Sequence, residues 1–399
     1  MAVYKIFPIK DATLYSEYPL MNTGLDEITE IRSIESPISN NNSIARYVSE
    51  FSQNEINYVF NELINNVNHS HFSSSYQVNL RNFVATAENI NQDLTLEIWP
   101  LAASWTNGTG YFLNSPQTTD GVSWEFRNND LKWPTSSFGN LITASFTSDQ
   151  PGGGVWYTGS ISPGALIPTT QSFNVRTEKD INADVSFVVN QWYLSGNNIN
   201  RYVVDNYVTS SYIETPVDIN NYGFIVKWKD SIENDVSKGS QPDVKFYSVD
   251  TYTIYPPQLE FRWDDTIHSS SLSEVQTEDI FMSLDENPGV FYEDSINRFR
   301  LNVRPKYPER TYQTGSIYTQ NLLLPTASCY AVKDLDTNEY VIDFDSKYTK
   351  LSADDVSNYF TIYMNGLEPE RNYEILIKTE INKTVLVYRD ELYFKVVNG

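Results

Sequence analysis

The sequence predicts an all-β protein made of two β-sandwiches with few short helices. Aromatic residues make up 14% of the 399 residues and charged residues only 20%, and pleated sheet faces favour aromatic and β-branched side chains. Most of the chain also alternates apolar and polar residues in short runs separated by Gly, Pro, Asn, Asp and Ser, as in residues 95–99, 224–228, 298–303 and 373–378. This alternation is typical of half-buried antiparallel strands.

Three segments have helical spacing instead. Residues 52–55 form a capping box before an apolar stripe, and a second stripe runs through 184–196. A third candidate starts at Ser352 and would turn Val356 and Phe360 inward. Apolar stripes of this kind predict core packing rather than cofactor sites.

The length allows two or three domains, each with its own core. The clearest boundary follows an apparent closing strand at 255–263, because a polar run comes next. We therefore predict one domain at 1–263 and a smaller one at 264–399. Two polar, turn-rich inserts interrupt the strand pattern of the first domain, at about 35–75 and 146–172.

The net charge of −23 argues against an electrostatic grip on nucleic acid or on an anionic membrane. It favours a solvated surface, with docking onto a basic partner as the alternative. Cys329 is the only cysteine, so no intrachain disulfide forms and folding in a reducing cytoplasm is the simplest expectation. The sequence contains neither a secretory signal near its start nor an apolar run long enough to span a membrane.

The opening segment has an order that recurs in one sandwich family: a short strand, a Tyr/Pro/Asn/Gly loop and a second strand. Further segments continue the family's order, including a Ser-Trp-polar-x-Gly turn and a short helix that ends in Trp. The five segments are 11–31, 94–108 followed by 121–124, 184–192, 221–227, and 244–248 with 257–261. Together they make residues 1–263 resemble the DNRLRE-type domain, a jelly-roll sandwich related to carbohydrate-binding modules. The literal string Asp-Asn-Arg-Leu-Arg-Glu does not occur in this chain.

Four further segments are similar to virion structural proteins of marine T-even-like tailed phages: 255–265, 297–305, 333–339 and 364–371. This resemblance implies a structural component of the neck, tail or baseplate. Such a protein would fold in the host cytoplasm before lysis and pack against other virion proteins, in many copies, in a symmetric ring or fibre. Residues 366–373 also read as a turn leading into a strand, as in Ig-like or fibronectin-like modules, which is the fold we expect for 264–399.

A basic run in this acidic chain is the candidate protein-docking patch. Its members are Arg298, Arg300, Arg304, Lys306 and Arg310. Since Phe299 and Leu301 alternate with the first two arginines, both arginines should project from one strand face. Either acidic neighbours within the fold neutralise these charges, or the patch docks onto an acidic partner.

Four aromatic residues are candidate carbohydrate contacts, because aromatic rings stack on sugar rings: Trp105, Trp124, Trp156 and Tyr157. They support the alternative function, a glycan-binding receptor or attachment module of the virion. Aromatic residues at such spacings also pack in cores, which is the competing interpretation.

The sequence predicts neither a metal site nor a catalytic one. His69 and His71 would form only part of a metal shell. Residues 334–345 imitate a calcium loop but carry Glu339 where the loop needs Gly, so a β-hairpin turn is favoured. The chain has no nucleophile elbow and no phosphate loop, so we expect a protein that is not an enzyme and uses no cofactor.

Overall fold

The computed structural model describes residues 2–35, 42–64, 76–88, 90, 94–134, 142–144, 152–161, 164–166, 168–173, 180–196, 201–203, 212–214, 219–233, 242–285, 287–307 and 321–399. Strands account for 47% and helices for 9% of the structure, and its sheets are mostly antiparallel. The predicted all-β fold with few short helices is therefore confirmed. No helix in the described ranges combines the length and apolar character that a membrane crossing requires.

The strands are, in chain order, β1 (Ala2–Ile6), β2 (Pro8–Tyr15), β3 (Ile28–Glu35), β4 (Asn42–Phe51), β5 (Tyr76–Asn82), β6 (Val84–Glu88), β7 (Leu94–Pro100), β8 (Ile142–Ala144), β9 (Trp156–Ile161), β10 (Gly164–Leu166), β11 (Thr169–Phe173), β12 (Ile181–Asp184), β13 (Arg201–Val203), β14 (Tyr212–Glu214), β15 (Phe224–Trp228), β16 (Asp243–Tyr247), β17 (Gln258–Trp263), β18 (Ile280–Asp285), β19 (Val290–Tyr292), β20 (Ile296–Pro305), β21 (Cys329–Asp334), β22 (Tyr340–Ile342), β23 (Ser352–Ala353), β24 (Asn358–Tyr363), β25 (Asn372–Ile381), β26 (Thr384–Tyr388) and β27 (Tyr393–Val397). The helices are α1 (Gln53–Tyr58), which continues as a π-helical segment over Val59–Ile64, α2 (Ser186–Gly196) and α3 (Asp230–Glu233).

The chain divides into two compact units. The first unit comprises Ile6–Leu63 and Val78–Glu260, and the second comprises Met1–Lys5, Ile64–Gln77 and Phe261–Gly399. The division therefore falls inside β17, the strand that the sequence analysis interprets as closing the first domain.

The largest sheet of the first unit has the strand order β11-β7-β15-β4-β3-β16-β6, and β2 also pairs with β4. Its pairs are antiparallel. Smaller sheets of this unit have the strand orders β10-β9-β8 and β13-β14, and β12 pairs with β5.

Two central strands of the large sheet are buried on both faces. The sequence pattern predicts a half-buried strand at 224–228, and this is wrong, because all five residues of β15 are buried. Its neighbour β4 is buried over most of its length. Both strands carry a cation into the interior, Lys227 from β15 and Arg46 from β4, and a buried charge requires a partner there.

Two of the three predicted helices are confirmed. The hydroxyl of Ser52 accepts a hydrogen bond from the backbone N–H of Glu55 at 3.4 Å, which caps α1 as the capping box predicts. The stripe of α2 faces inward, and Trp192 packs against Phe224 with ring centroids 4.6 Å apart.

The third predicted helix, at Ser352, is wrong. The segment forms β23 and β24, and a carboxylate oxygen of Asp354 accepts the backbone N–H groups of Val356 and Ser357 at 3.0 and 3.1 Å to make the turn between them. Phe360 points into the core as predicted, but Val356 is 55% exposed. Burial over β24 alternates with a period of two residues, so strand pairing overrides the helical spacing.

The second unit is a sandwich of two sheets, with the strand orders β18-β20-β24-β23 and β19-β27-β25-β21-β22, and β26 also pairs with β25. Side chains from both sheets form one core, including Met282, Leu301 and Phe360 from the first and Tyr330 and Ile375 from the second. Burial alternates along β20 and β24, so the first sheet packs one face on this core. The central strands β21 and β25 of the second sheet are instead buried on both faces over most of their length.

Candidate functional site

The predicted basic patch lies on β20 and immediately after it. The apolar residues of this strand point into the core: Phe299, Leu301 and Val303. Arg298, Arg300 and Arg304 therefore lie on the outward face, and the prediction that the first two share one face is confirmed. Lys306 is exposed just beyond the strand, whereas Arg310 lies outside the described residues.

Arg300 is neutralised within the fold. Its Nη1 and Nη2 donate to Oδ1 and Oδ2 of Asp354 at 3.0 and 2.7 Å, a bidentate pair. The hydrogen bonds from Arg300 hold the pKa of the Asp354 carboxyl well below its usual range. For this arginine, pairing with an acidic neighbour is confirmed.

Arg298 and Arg304 form no ion pair with any residue in the described ranges. The guanidinium carbon of Arg298 lies 4.8 Å from the ring centroid of Tyr359, and that of Arg304 lies 4.7 Å from the ring centroid of Phe281. Arg304 also donates from Nη1 to the carbonyl oxygen of Pro305 at 3.3 Å. Stacking on a ring orients a guanidinium but leaves its N–H edge available, so both arginines keep donors for a partner.

A polar cavity of about 380 Å³ lies next to Arg304 on the same outward face. Its lining residues are Phe281, Ser283, Asn302, Arg304 and Asn321. None of the five is acidic, so one guanidinium supplies the only formal charge among the described lining residues. The pairs Phe281/Arg304 and Ser283/Asn302 are opposite each other across β18 and β20, and cross-strand pairing thus places the donors side by side.

The four candidate sugar-contact aromatics are buried. The exposed fractions of Trp105, Trp124, Trp156 and Tyr157 are 4%, 4%, 6% and 3%. Trp105 donates from Nε1 to the carbonyl oxygen of Tyr222 at 2.9 Å. The structure therefore supports core packing for these residues, and none of them presents a ring face to solvent.

Two of these tryptophans flank an ion cluster that the sequence analysis missed. Arg46 donates from Nε and Nη2 to Oε1 and Oε2 of Glu233 at 3.0 and 2.6 Å, and the Lys227 ammonium lies 3.5 Å from Oε2. The three side chains are at most 2% exposed. The rings of Trp124 and Trp156 lie 5.2 and 5.3 Å from the Arg46 guanidinium carbon.

The charges in this Glu233 cluster compensate one another. Lys227 also contacts Asp230 at 2.5 Å and Glu97 at 3.6 Å, and Arg46 donates from Nη1 to the carbonyl oxygen of Gly153 at 2.8 Å. A closed set of this kind holds strands and loops together rather than reacting with a ligand. The sequence contained one signal for it: both cations stand in the middle of largely apolar strands.

The amide of Asn22 joins the loop that follows β2 to the loop that follows β7. Asn22 is fully buried. Its Nδ2 donates to the carbonyl oxygens of Asn107 and Val122 at 2.6 and 2.8 Å, and its Oδ1 accepts the N–H groups of Gly110 and Gly24 at 2.7 and 3.3 Å. All of the hydrogen-bonding capacity of the side chain is thus used.

Glycine is required around this amide. Gly108 has φ of +83°, and a Cβ at this position would lie 2.4 Å from Oδ1 of Asn22. A Cβ at Gly121 would lie 2.4 Å from the carbonyl oxygen of Asn107. The Gly residues in these loops therefore allow the close approach of the two backbones.

The joined loops border an acidic groove of about 420 Å³ in the first unit. It is lined by Tyr15, Asp26, Glu27, Ile28, Glu30, Tyr111, Phe112 and Lys245. The Asp26 carboxylate accepts the N–H of Phe112 at 3.0 and 3.1 Å, while the side chains of Tyr111 and Phe112 are 46% and 38% exposed. Burial raises the pKa of Asp26 to about 6. Burial likewise raises the pKa of Asp243, which interacts with Glu30, to about 7.

The described residues contain no group of three or more His, Cys, Asp or Glu side chains that could hold a metal ion. His69 and His71 lie outside the described residues. The predicted hairpin at 334–345 is confirmed, because β21 and β22 pair antiparallel. A carboxylate oxygen of Asp334 caps the turn by accepting the N–H groups of Asp336 and Thr337 at 2.7 and 3.1 Å.

Comparison with models of known protein families finds no match to this chain. A search of curated proteins likewise finds no significant match. The structure by itself defines the class, an all-β protein with antiparallel sheets and few helices.

Proposed function

We propose that the chain is a non-enzymatic structural component of a tailed-phage virion, in the neck, tail or baseplate. It acts by packing against other virion proteins in a symmetric ring or fibre. The observation that carries this proposal is the outward face of β20, where Arg298 and Arg304 stack on aromatic rings and have no ionic partner among the described residues.

Such a face suits protein docking for three reasons. Aromatic rings hold its arginines in place, and guanidinium groups are weakly hydrated. Binding therefore costs these side chains little conformational entropy and little desolvation free energy. Phe281 is 41% exposed beside Arg304 and offers apolar contact area. Arginine and aromatic residues are enriched at protein interfaces, and charge complementarity sets the register between subunits. Repetition in a ring then adds avidity to modest individual contacts.

Two polar arrangements of the first unit act within the fold rather than on a ligand. Glu233 pairs with both Arg46 and Lys227, and Asn22 uses its amide entirely on loop backbones. Neither arrangement leaves a reactive group directed at a substrate.

Immunogold labelling of intact virions tests the location, with an antibody raised against the purified chain. Label at one axial position on the particle is the expected result and would name the part. Particles without label, together with soluble protein left in the lysate, would refute the virion assignment.

Charge reversal tests the docking face. Phage carrying Arg298→Glu or Arg304→Glu should incorporate less of the protein, measured by immunoblotting of purified particles. Lys347→Glu is the matched control, because it reverses an exposed cation elsewhere in the second unit. Equal incorporation of all three variants would show that β20 is not the docking face.

A different observation favours glycan binding as a second candidate. The acidic groove combines the exposed rings of Tyr111 and Phe112 with the carboxylate of Asp26 and the ammonium of Lys245, groups that can stack on a sugar and hydrogen-bond its hydroxyls. Glycan-array binding that is lost in Tyr111→Ala but kept in Tyr252→Ala, where Tyr252 is a 92% exposed tyrosine outside the groove lining, would support it. A glycan array without any binding signal would refute this second candidate function.

A further inference from the structure

We infer that the cavity beside Arg304 binds a carboxylate, presented by an aspartate or glutamate side chain of a neighbouring protein. This inference rests on the proposed docking role of β20 and specifies the chemistry of the partner that the face recognises.

The orientation of the two amides is determined by a backbone carbonyl. Nδ2 of Asn321 lies 3.3 Å from the carbonyl oxygen of Val356, and a carbonyl oxygen only accepts hydrogen bonds, so this amide must present its nitrogen there. The same nitrogen donates to Oδ1 of Asn302 at 2.7 Å. The acceptor of Asn302 is therefore occupied, and its Nδ2 remains as a donor.

Two more donors face the same space. Arg304 uses Nη1 on the carbonyl oxygen of Pro305 and keeps further N–H groups of its guanidinium. Ser283, opposite Asn302 across the strand pair, has a hydroxyl with no hydrogen bond to any residue in the described ranges. A guanidinium, an amide nitrogen and a hydroxyl thus converge on one cavity, and none of its described lining residues is acidic.

A carboxylate fits this set of donors. Its two oxygens accept several hydrogen bonds, and a guanidinium pairs with it in a charge-assisted geometry. One guanidinium matches the single charge of a carboxylate side chain, whereas a nucleic acid would bring a long series of phosphates against the net charge of −23. The exposed ring of Phe281 at the cavity wall can also contact the apolar part of that side chain or of its neighbours.

Fluorescence anisotropy of the full chain with a fluorescein-labelled hexaglutamate peptide tests the assignment. The neutral hexaglutamine peptide is the reference probe. We expect binding of hexaglutamate alone, weakening as salt is added. Repulsion from the acidic protein works against this binding, so a signal requires a local cationic site.

Two variants test whether the peptide binds in this cavity, and a third variant is the matched control. Arg304→Gln should weaken hexaglutamate binding by about tenfold or more. Asn302→Asp should have a similar effect, because it keeps the acceptor for Asn321 and replaces a donor with a carboxylate oxygen. Arg298→Gln removes the same charge from the same strand face outside the cavity lining, and it should retain binding within about twofold.

Three results would overturn the inference: no binding of hexaglutamate to the unmodified chain, equal binding of hexaglutamine, or equal weakening by Arg298→Gln and Arg304→Gln. Circular dichroism and thermal unfolding establish that each variant is folded, and if one variant fails to fold the other still decides the result. Virion labelling does not use the peptide. If antibody labels the particles but the chain does not bind hexaglutamate, the carboxylate site is refuted and the proposed structural role is not.

Discussion

Substituting Glu233 with Gln preserves the size of the side chain and removes its negative charge. Arg46 and Lys227 would then lose the counter-ion that they share at 2.6 and 3.5 Å. The side chains of Glu233 and Arg46 are only 1% and 2% exposed, so water cannot replace the lost interaction. Removing one partner of a buried ion pair costs about 3–5 kcal/mol. Because Lys227 keeps Asp230 and Glu97, we expect a loss of about 3 kcal/mol in the free energy of unfolding.

Urea unfolding monitored by tryptophan fluorescence measures this loss. Of the eight tryptophans, only Trp263 lies in the second unit, and Trp124 and Trp156 flank the Arg46 guanidinium. The fluorescence change therefore reports mainly on the first unit. The melting temperature of that unit should also fall by about 6–12 °C, since 1 kcal/mol corresponds to about 2–4 °C for a domain of this size.

Glu125→Gln is the matched control, because it makes the same chemical change at an exposed ion pair in the same unit. Glu125 pairs with Lys132, and the two side chains are 29% and 63% exposed. Solvent screens such a pair, so its loss should cost less than about 1 kcal/mol. If Glu233→Gln destabilised the protein no more than Glu125→Gln, the argument from burial would be refuted.

Three other predictions concern a loop, a buried acid and the single thiol. Gly108→Ala should lower the free energy of unfolding by about 2 kcal/mol or more, because it combines a φ of +83° with a clash against Asn22; an unchanged urea midpoint would contradict this. Burial raises the pKa of Asp11 from 3.8 to about 8, so the folded state binds more protons than the unfolded state between these values, and stability should fall as pH rises through that window. Asp11→Asn should make urea stability at pH 8 approach that at pH 5, and an unaltered pH dependence would exclude Asp11 as its source. Cys329 is 5% exposed and burial raises its thiol pKa, so an aromatic disulfide reagent should react only after unfolding, and rapid reaction of the native protein would show that the thiol is accessible.

Local sequence pattern predicted several elements correctly. The capping box at Ser52, the stripe of α2 and the hairpin after Asp334 each depend on residues close together in the chain. The facing of Arg298 and Arg300 likewise follows from alternation within one strand. Such features are decided by backbone geometry over a few residues, so the sequence states them directly.

The sequence pattern gave wrong predictions where the same local spacing of residues fits two different structures. The spacing of Ser352, Val356 and Phe360 fits a helix, yet pairing of β24 with β20 holds the segment as a strand. Trp105 and Trp124 are candidate sugar contacts by residue type, although aromatic residues at such spacings more often pack in cores, and the structure buries both of them.

The sequence by itself determined that this protein is built mainly from strands, where several of them lie and which side chains share a strand face. Alternation along the chain is sufficient for that, because successive strand residues point to opposite sides. Only the tertiary structure decided which faces are covered and which charges meet. Arg46 and Glu233 are 187 residues apart in the chain, and Ser283, Asn302 and Asn321 line one cavity only because strand pairing and the return of the chain bring them together. Burial and charge compensation depend on such distant partners, and no local pattern encodes them.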